Sequence, residues 1–326
     1  MKRFAHYYFW ISLFPLLLAV LLAYYPDPFF PLHGGPFEFL PLLQETMASS
    51  GVTLRGGALI PLLSAVGSEP VLVIAALGSC IPALVAIAFM FASGGWRGVA
   101  RLFGRLRPWL GDIGLAEGAK TWLLLAATVV VVQLSVFLVQ IAVSGPAGWT
   151  VSFNPSLFTP LVVFFFLEAM FLNQGGLLEE LGLRGYALPL LQSRFTPIIA
   201  TLILGVSWAI WHIPRDILFQ TIPAMGLAPY LAVYLPLFAL WCVGGSIIMT
   251  FFVNRTGGSA LAAVAVHGFL NDGLMLSGVV EGGGGATPVL QMVIRSFVVA
   301  GAGLIVFLIA GRNLGMRPEG EAARNL

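Results

Sequence analysis

Six polar side chains that suit acid–base chemistry stand in otherwise apolar segments of the sequence: Glu179, Glu180, Arg184, His212, His267 and Asn271. Only 9% of the 326 residues are charged, whereas 59% are hydrophobic. Burying an ionisable group in or near lipid is costly, so such a group indicates a functional site. Carboxylates and imidazoles are the usual general acids and bases of enzymes.

The spacing in "NQGGLLEELGLRGYALPLL" gives the two glutamates different surroundings. Glu180 and Arg184 are four residues apart, so on a helix they share one face and Arg184 can neutralise Glu180. Glu179 is rotated by about 100° from Glu180 and has no such local partner. A desolvated carboxylate without a counter-charge suits a general base, which makes Glu179 the first candidate for that role.

Two histidines lie within apolar segments, His212 at the end of "GVSWAIWH" and His267 in "ALAAVAVHGFLND". A single histidine on an apolar helix is usually a hydrogen-bonded core residue. Two of them together with a glutamate pair favour a shared site. His267 and Asn271 share a helix face, and their N–H groups can hold an oxyanion or orient a substrate carbonyl.

The composition predicts an integral membrane protein, because a soluble domain is about half apolar and about a quarter charged. The mean hydropathy is +0.95. The net charge of +2 and the scattered basic residues exclude a nucleic-acid partner. We predict an all-α, polytopic helical bundle that forms one membrane domain over residues 1–326, with its catalytic core helices in 156–277. About eight apolar segments are long enough to span a bilayer: 8–25, 70–93, 119–143, 156–191, 196–213, 230–253, 257–277 and 287–311.

Lysines and arginines concentrate in alternate connections between these segments, which predicts that both termini are cytoplasmic. Residues 94–114 carry arginines at intervals of two to four residues between apolar side chains. This pattern predicts a basic amphipathic segment on the cytoplasmic face of the membrane. The connection formed by residues 27–70 is rich in Pro and Gly, and its pattern predicts no role.

The length of segment 156–191 decides whether the candidate groups can meet. If its helix runs to about Leu191 and turns at "QSRFTP", Glu179 lies ~20 Å before the turn and His212 ~25 Å after it. His267 then lies ~14 Å inside the bilayer. These depths allow a water-filled chamber within the membrane. Pro189 is expected to kink the end of the segment.

Two further ionisable residues, Glu168 and Arg295, are predicted to lie within the membrane. We interpret them as a structural ion pair, either with each other or with Asp272, because buried charges in proteins are usually paired.

The three motifs together resemble the CPBP intramembrane proteases, also called the Abi family. These comprise CAAX prenyl endopeptidases and bacteriocin-processing enzymes. The motifs are Glu179-Glu180-x-x-x-Arg184, an aromatic residue four positions before His212, and His267-x-x-x-Asn271. The family usually has Phe at the aromatic position, where this sequence has Trp208. We interpret this residue as a conservative change in an apolar packing position.

The resemblance implies that Glu179, with His212, activates a water molecule, and that His267 and Asn271 stabilise the tetrahedral intermediate. Glu180 and Arg184 would support the site. Both a metal-dependent and a metal-free mechanism have been proposed for the family. In the first, Glu179, His212 and His267 would bind zinc, with Glu180 as the base. The sequence lacks the local zinc motif H-E-x-x-H, and both mechanisms stay open.

The leading hypothesis is therefore an endopeptidase that cleaves a membrane-associated peptide or lipidated protein, such as a prenylated CAAX-type protein or a leader peptide. One alternative is a non-catalytic immunity or scaffold protein of the membrane. The other is a proton-coupled transporter, which is disfavoured by the lack of evident internal symmetry. Low Lys content with abundant Ala, Gly and Arg points to the plasma membrane of a prokaryote. The sequence predicts no oligomeric state.

Overall fold

The computed structural model describes residues 1–24, 71–145, 149–151, 160–218, 221–276, 280–282 and 288–316. The N-terminal half of this part contains α1 (Lys2–Tyr24), α2 (Val71–Gly104), α3 (Leu115–Ser144), β1 (Trp149–Val151), α4 (Pro160–Phe171) and α5 (Gln174–Gly182). A π-helical turn, Leu183–Ala187, leads into α6 (Leu188–Gln192), which is followed by α7 (Pro197–Trp211), α8 (Ile213–Leu218), α9 (Thr221–Met225) and α10 (Leu227–Pro229). A second π-helical turn, Tyr230–Tyr234, precedes α11 (Leu235–Arg255), α12 (Ala260–Leu276), β2 (Val280–Gly282), α13 (Pro288–Ala310) and a 3₁₀ turn, Gly311–Asn313.

Helices dominate the described chain, as the composition predicts. Within it, five helical stretches are long and apolar enough to cross a membrane: Gly78–Gly104, Leu115–Ser144, Pro197–Ile217, Leu227–Arg255 and Val289–Asn313. They coincide with five of the eight predicted spans. The count of eight and the cytoplasmic location of both termini stay predictions. Residues 27–70 lie outside the described part.

The described chain also contains a short antiparallel ribbon, which the sequence pattern did not predict. Strand β1 pairs with β2, with Trp149 opposite Gly282 and Val151 opposite Val280. Each strand has three residues, too few for a detectable alternation of apolar and polar side chains.

Helix α2 changes direction at Gly95, whose φ of 56° and ψ of −150° are not helical. After this break, Val99 and Leu102 are buried, whereas Arg97 and Arg101 are exposed. The chain is therefore amphipathic from Gly95 to the end of the helix at Gly104. Residues 105–114 are not helical beyond that point. The location of segment 94–114 on the membrane face stays a prediction.

The predicted segment 156–191 is not one helix, which corrects the sequence interpretation. Helix α4 ends at Phe171, and α5 begins after Asn173, whose side chain accepts a hydrogen bond from the Gly176 N–H. This cap satisfies one of the unpaired N–H groups at a helix start. The continuation through α6 to Gln192 agrees with the predicted turn at residues 192–197.

Pro189 is the second residue of α6, which follows the π-helical turn Leu183–Ala187, and the kink at Pro189 stays a prediction. A proline within a helix has no N–H for the carbonyl four residues earlier, and its ring crowds that carbonyl. The wider turn, in which the Leu188 N–H bonds to the carbonyl of Leu183, relieves this conflict. The chain thus continues as a helix past Pro189.

Close packing between α5 and α12 brings two of the sequence motifs together. Gly176 makes this possible, because a Cβ atom at this position would lie 2.9 Å from the carbonyl oxygen of Val264 and 3.0 Å from the Gly268 nitrogen. The third motif is on α7, which packs against α11, and α11 in turn contacts α12.

The structure does not contain the predicted ion pair between Glu168 and Arg295, two residues whose side chains are described. Glu168 lies on α4, which packs against α12, whereas Arg295 lies on α13, which packs against α11 and α3. The alternative partner, Asp272, has a side chain outside the described part.

Candidate active site

Glu180 is the centre of a buried charge network. Its Oε1 atom accepts hydrogen bonds from Arg184 Nη1 at 2.7 Å and from His267 Nδ1 at 2.7 Å. Glu180 and Arg184 are fully buried, and His267 is 3% exposed. An ionised carboxylate can only accept hydrogen bonds, so Nδ1 of His267 carries its proton toward Glu180. The pair of Glu180 and Arg184 confirms the interaction predicted from their spacing.

Arg184 is held by two further contacts that connect separate helices. Its Nη2 atom donates to Ser246 Oγ on α11 at 2.5 Å. Its guanidinium carbon lies 4.8 Å from the ring centroid of Trp208, in a cation–π arrangement. Because a buried charge must be neutralised or solvated by nearby groups, these contacts reduce the cost of burying Arg184.

Glu179 faces a different set of groups. Its Oε2 atom accepts a hydrogen bond of 2.8 Å from the indole Nε1 of Trp208. Its side chain is 7% exposed. Among the ion pairs of the described residues, Glu179 takes part in one, a long contact of 3.9 Å with His212 Nε2. One neutral donor therefore orients this carboxylate, and the imidazole of His212 lies on the side of its Oε2 atom.

His212 is the residue that follows α7, and its ring is fixed by its own helix. The Nδ1 atom donates to the carbonyl oxygen of Trp208 at 2.8 Å. A carbonyl is an acceptor only, so Nδ1 carries a proton and the Nε2 atom points to Glu179. The imidazole packs edge-on against Trp211 and Phe238. Nε2 is therefore available to exchange a proton with Glu179 or with a molecule beside it.

A space beside Gly175 is surrounded by polar atoms of three candidate residues. A Cβ atom placed on Gly175 would lie 3.2 Å from Glu179 Oε1, 3.2 Å from His267 Nε2 and 3.4 Å from Asn271 Nδ2. Such distances are tighter than most Cβ contacts, so the three polar atoms converge on Gly175 and leave no room for a side chain at this position.

Asn271 is oriented by the residue that caps α5. Its Nδ2 atom donates to Asn173 Oδ1 at 3.1 Å, and the same oxygen accepts the Gly176 N–H at 3.0 Å. Asn173 is 1% exposed. One buried carboxamide therefore both begins helix α5 and holds Asn271 against the space beside Gly175.

The structure brings all six predicted residues into one cluster, formed by α5, the π-helical turn after it, the end of α7, and α12. Three contributors were missed from the sequence: Asn173, Ser246 and Gly175. Asn173 had a detectable signal, since Asn before a helix is a common cap. The interpretation of Trp208 as an apolar packing residue was incomplete, because its N–H binds Glu179.

The residues predicted to bind zinc do not form a metal site in this arrangement. Among the described residues, no group of three His, Cys, Asp or Glu side chains is positioned to hold a metal ion. The carboxylate of Glu180, which would be the base in the metal mechanism, has its Oε1 atom engaged by Arg184 and His267. We therefore derive no catalytic step through a metal.

Comparisons with known protein families cover the segment of the chain that contains this cluster. Residues 159–272 match the family described as type II CAAX prenyl endopeptidase, Rce1-like. A protein named CAAX prenyl protease 2, from Methanococcus maripaludis, is 36% identical over 88 residues, which is 24% of this chain and 30% of that protein. The chain thus matches about a third of this relative's length. All six candidate residues lie within the family match, and the resemblance to CPBP proteases is confirmed for this segment.

Proposed function

We propose, on the premise that residues 159–272 form an Rce1-like protease segment, that this integral membrane protein is an intramembrane endopeptidase. Glu179, assisted by His212, would activate a water molecule that attacks a peptide carbonyl. The observation that carries this proposal is the convergence of Glu179 Oε1, His267 Nε2 and Asn271 Nδ2 on Gly175, where a Cβ atom would lie 3.2–3.4 Å from each of them.

Glu179 is the base in this mechanism. A water molecule beside Gly175 would contact Glu179 Oε1, while Oε2 stays bound to the Trp208 indole. The carboxylate takes a proton as the water attacks, which is general-base catalysis. His212 Nε2, 3.9 Å from Glu179 Oε2, can pass that proton to the leaving amine.

His267 and Asn271 stabilise the oxyanion that forms on the carbonyl oxygen. Glu180 binds Nδ1 of His267, which fixes the ring with Nε2 toward Gly175, where an Nε2–H group would donate to the oxyanion. Asn271 Nδ2 supplies a second donor from the next turn of the helix. Donors fixed in this way before the reaction stabilise developing charge without further reorganisation.

The substrate in this proposal is a membrane-associated peptide or lipidated protein. The relative's name, CAAX prenyl protease 2, supports a prenylated CAAX-type substrate. A leader peptide is the other substrate class for this site. We place the protein in the plasma membrane of a prokaryote, with eight spans and both termini in the cytoplasm.

The test is cleavage by the purified protein reconstituted in lipid vesicles. Farnesylated CAAX peptides and leader-type peptides would be incubated with the wild type, with Glu179→Ala and with the control Glu168→Gln. Glu168 is also a buried carboxylate but lies on α4, outside the site. We expect cleavage by the wild type and by the control, and none by Glu179→Ala.

Other outcomes of the cleavage test would change the proposed function. Equal cleavage by the wild type and Glu179→Ala would refute the assignment of the base. No cleavage of any peptide would count against the protease and favour the scaffold hypothesis, and a cellular phenotype rescued by Glu179→Gln would support that hypothesis. Loss of cleavage with a chelator, restored by zinc, would establish the metal mechanism in place of the metal-free one.

A further inference from the structure

A small cavity at one end of the helical bundle lies outside the catalytic cluster. It has a volume of about 270 Å³ and is lined by residues of α1, α2, the π-helical turn Leu183–Ala187 and α6. Arg3 of α1 and Arg101 of α2 both line it, and both residues are exposed. None of the residues that line the cavity is acidic. The cavity therefore combines two cations with no carboxylate of its own.

The break in α2 at Gly95 brings Arg101 to this cavity. A Cβ atom on Gly98 would overlap the carbonyl oxygen of Met90, so the part of α2 after the break packs against the part before it. A Cβ atom on Gly94 would lie 2.9 Å from Arg101 Nη2. The guanidinium thus lies beside the break, and both parts of the helix contribute to the cavity.

The inner wall of the cavity is apolar. The ring of Tyr186, which is buried, lies 5.1 Å from that of Tyr7 and 6.1 Å from that of Phe89. Met90 is also buried, and Leu190 of α6 is half-buried. Apolar surface next to cations suits an amphipathic ligand, because its charged end meets the arginines while its apolar part covers the wall.

The sequence indicates where this cavity lies relative to the membrane. Arg3 precedes the predicted span 8–25, and Arg101 follows the predicted span 70–93. Both arginines are therefore expected at the level of the lipid headgroups, where basic pockets between membrane helices bind anionic lipids. A guanidinium can donate two parallel hydrogen bonds to a phosphate. Neither arginine takes part in the ion pairs of the described residues.

We propose that this cavity binds the phosphate group of an anionic phospholipid through Arg3 and Arg101, with the glycerol end of the lipid against Tyr186 and Leu190. The volume is below the roughly 300–1,000 Å³ of pockets that enclose a drug-sized ligand. It therefore suits a headgroup rather than a whole lipid. Phosphatidylcholine carries the same phosphate, but the two arginines would repel its ammonium group. Binding at this cavity would not depend on the proposed endopeptidase function.

Equilibrium binding of short-chain lipids to the purified full chain in a neutral detergent tests the site. Isothermal titration calorimetry would compare dioctanoyl phosphatidylglycerol with dioctanoyl phosphatidylcholine, which has the same chains and no net charge. Glycerol phosphate would be added as a soluble competitor. The proteins would be the wild type, Arg3→Gln, Arg101→Gln, the double variant and the control Arg312→Gln. Arg312 is exposed, lies in the 3₁₀ turn after α13 and does not line the cavity.

We expect the wild type to bind phosphatidylglycerol about tenfold more tightly than phosphatidylcholine, the effect of a hydrogen bond between charged groups. Each single substitution at Arg3 or Arg101 should lower this preference, and the double variant should lose it. The control should keep all of it. The preference should also decrease at high salt, because both arginines are exposed.

Three results would overturn the proposal: equal binding of the two lipids by the wild type, a preference that survives in the double variant, or an equal loss in Arg312→Gln. The last result would indicate attraction by the surface charge as a whole. Displacement of phosphatidylglycerol by a similar concentration of glycerol phosphate would overturn the lipid as the occupant and identify a soluble phosphate instead. The comparison of lipids on the wild type needs no substitution, so a misfolded variant does not remove the test.

Discussion

The two adjacent glutamates of α5 have opposite surroundings. Glu180 is fully buried, and its Oε1 atom is bound by Arg184 and His267. Glu179 faces the space beside Gly175 and is bound by the neutral N–H of Trp208. Neighbouring positions on a helix point about 100° apart. The difference teaches that one short motif supplies two carboxylates with different surroundings, of which we propose that Glu180 is structural and Glu179 reactive.

The comparison predicts that the Glu180 network contributes strongly to stability, in addition to holding His267. Arg184→Met removes the cation and leaves the Glu180 carboxylate buried without its main partner, so unfolding should become easier by about 3–5 kcal/mol. The measurement is denaturant-induced unfolding in detergent. Arg255→Met is the matched control, because its ion pair with Glu117 is about a third exposed. It should cost about 1 kcal/mol or less, and equal losses in the two variants would refute this assignment.

The space beside Gly175 should matter to catalysis rather than to stability. Gly175→Ala places a methyl group at 3.2–3.4 Å from Glu179, His267 and Asn271, where the reacting water is proposed to lie. We expect kcat/KM to fall about a hundredfold, in line with the loss of a well-positioned reactant. The control is Gly301→Ala on α13, where an added Cβ meets no atom within 4 Å. Full activity of Gly175→Ala would exclude water from this position.

Trp208→Phe tests the orientation of Glu179 by the indole. The substitution keeps an aromatic ring but removes the N–H that Glu179 accepts at 2.8 Å. We expect kcat to fall about tenfold or more with a small change in KM, since a hydrogen bond to a charged group is lost. The control is Trp241→Phe, because the ring centroid of Trp241 lies 5.4 Å from that of Trp208. This substitution should have a smaller effect on kcat. A parallel fall in both variants would indicate a packing role only.

Asn173→Ala should have the smallest effect. It removes the cap of α5 and the acceptor of the Asn271 amide. Loss of a helix cap costs about 1 kcal/mol of stability. A several-fold fall in kcat should accompany it, because Asn271 loses its orientation. Thermal unfolding together with cleavage measures both effects, and a normal kcat in a destabilised variant would limit Asn173 to the cap.

The sequence predicted contacts that depend on local spacing. The pair of Glu180 and Arg184 was correct because residues four apart on a helix always share a face. Five predicted spans overlap helices that are long and apolar enough to cross a membrane, because length and hydrophobicity follow from the local sequence. The break between α4 and α5 was missed because the apolar run obscured the cap at Asn173.

Contacts between distant parts of the chain were not predictable in the same way. His267 binds Glu180 across 87 positions of sequence, and the Trp208 indole binds Glu179 across 29. Both depend on how α7 and α12 are rotated against α5, which no spacing rule determines. The sequence interpretation assigned Trp208 to apolar packing because Trp and Phe both present an aromatic ring, and the direction of the N–H is a property of the fold.

The most direct test of the division between the two glutamates is a parallel measurement of cleavage and unfolding for Glu179→Gln and Glu180→Gln. Glu179→Gln should lose about 10²–10⁴ in kcat, the contribution of a general base, and unfold like the wild type. Glu180→Gln should be destabilised by about 3–5 kcal/mol because it breaks the buried pair with Arg184. A Glu179→Gln protein that cleaves at the wild-type rate would contradict the account.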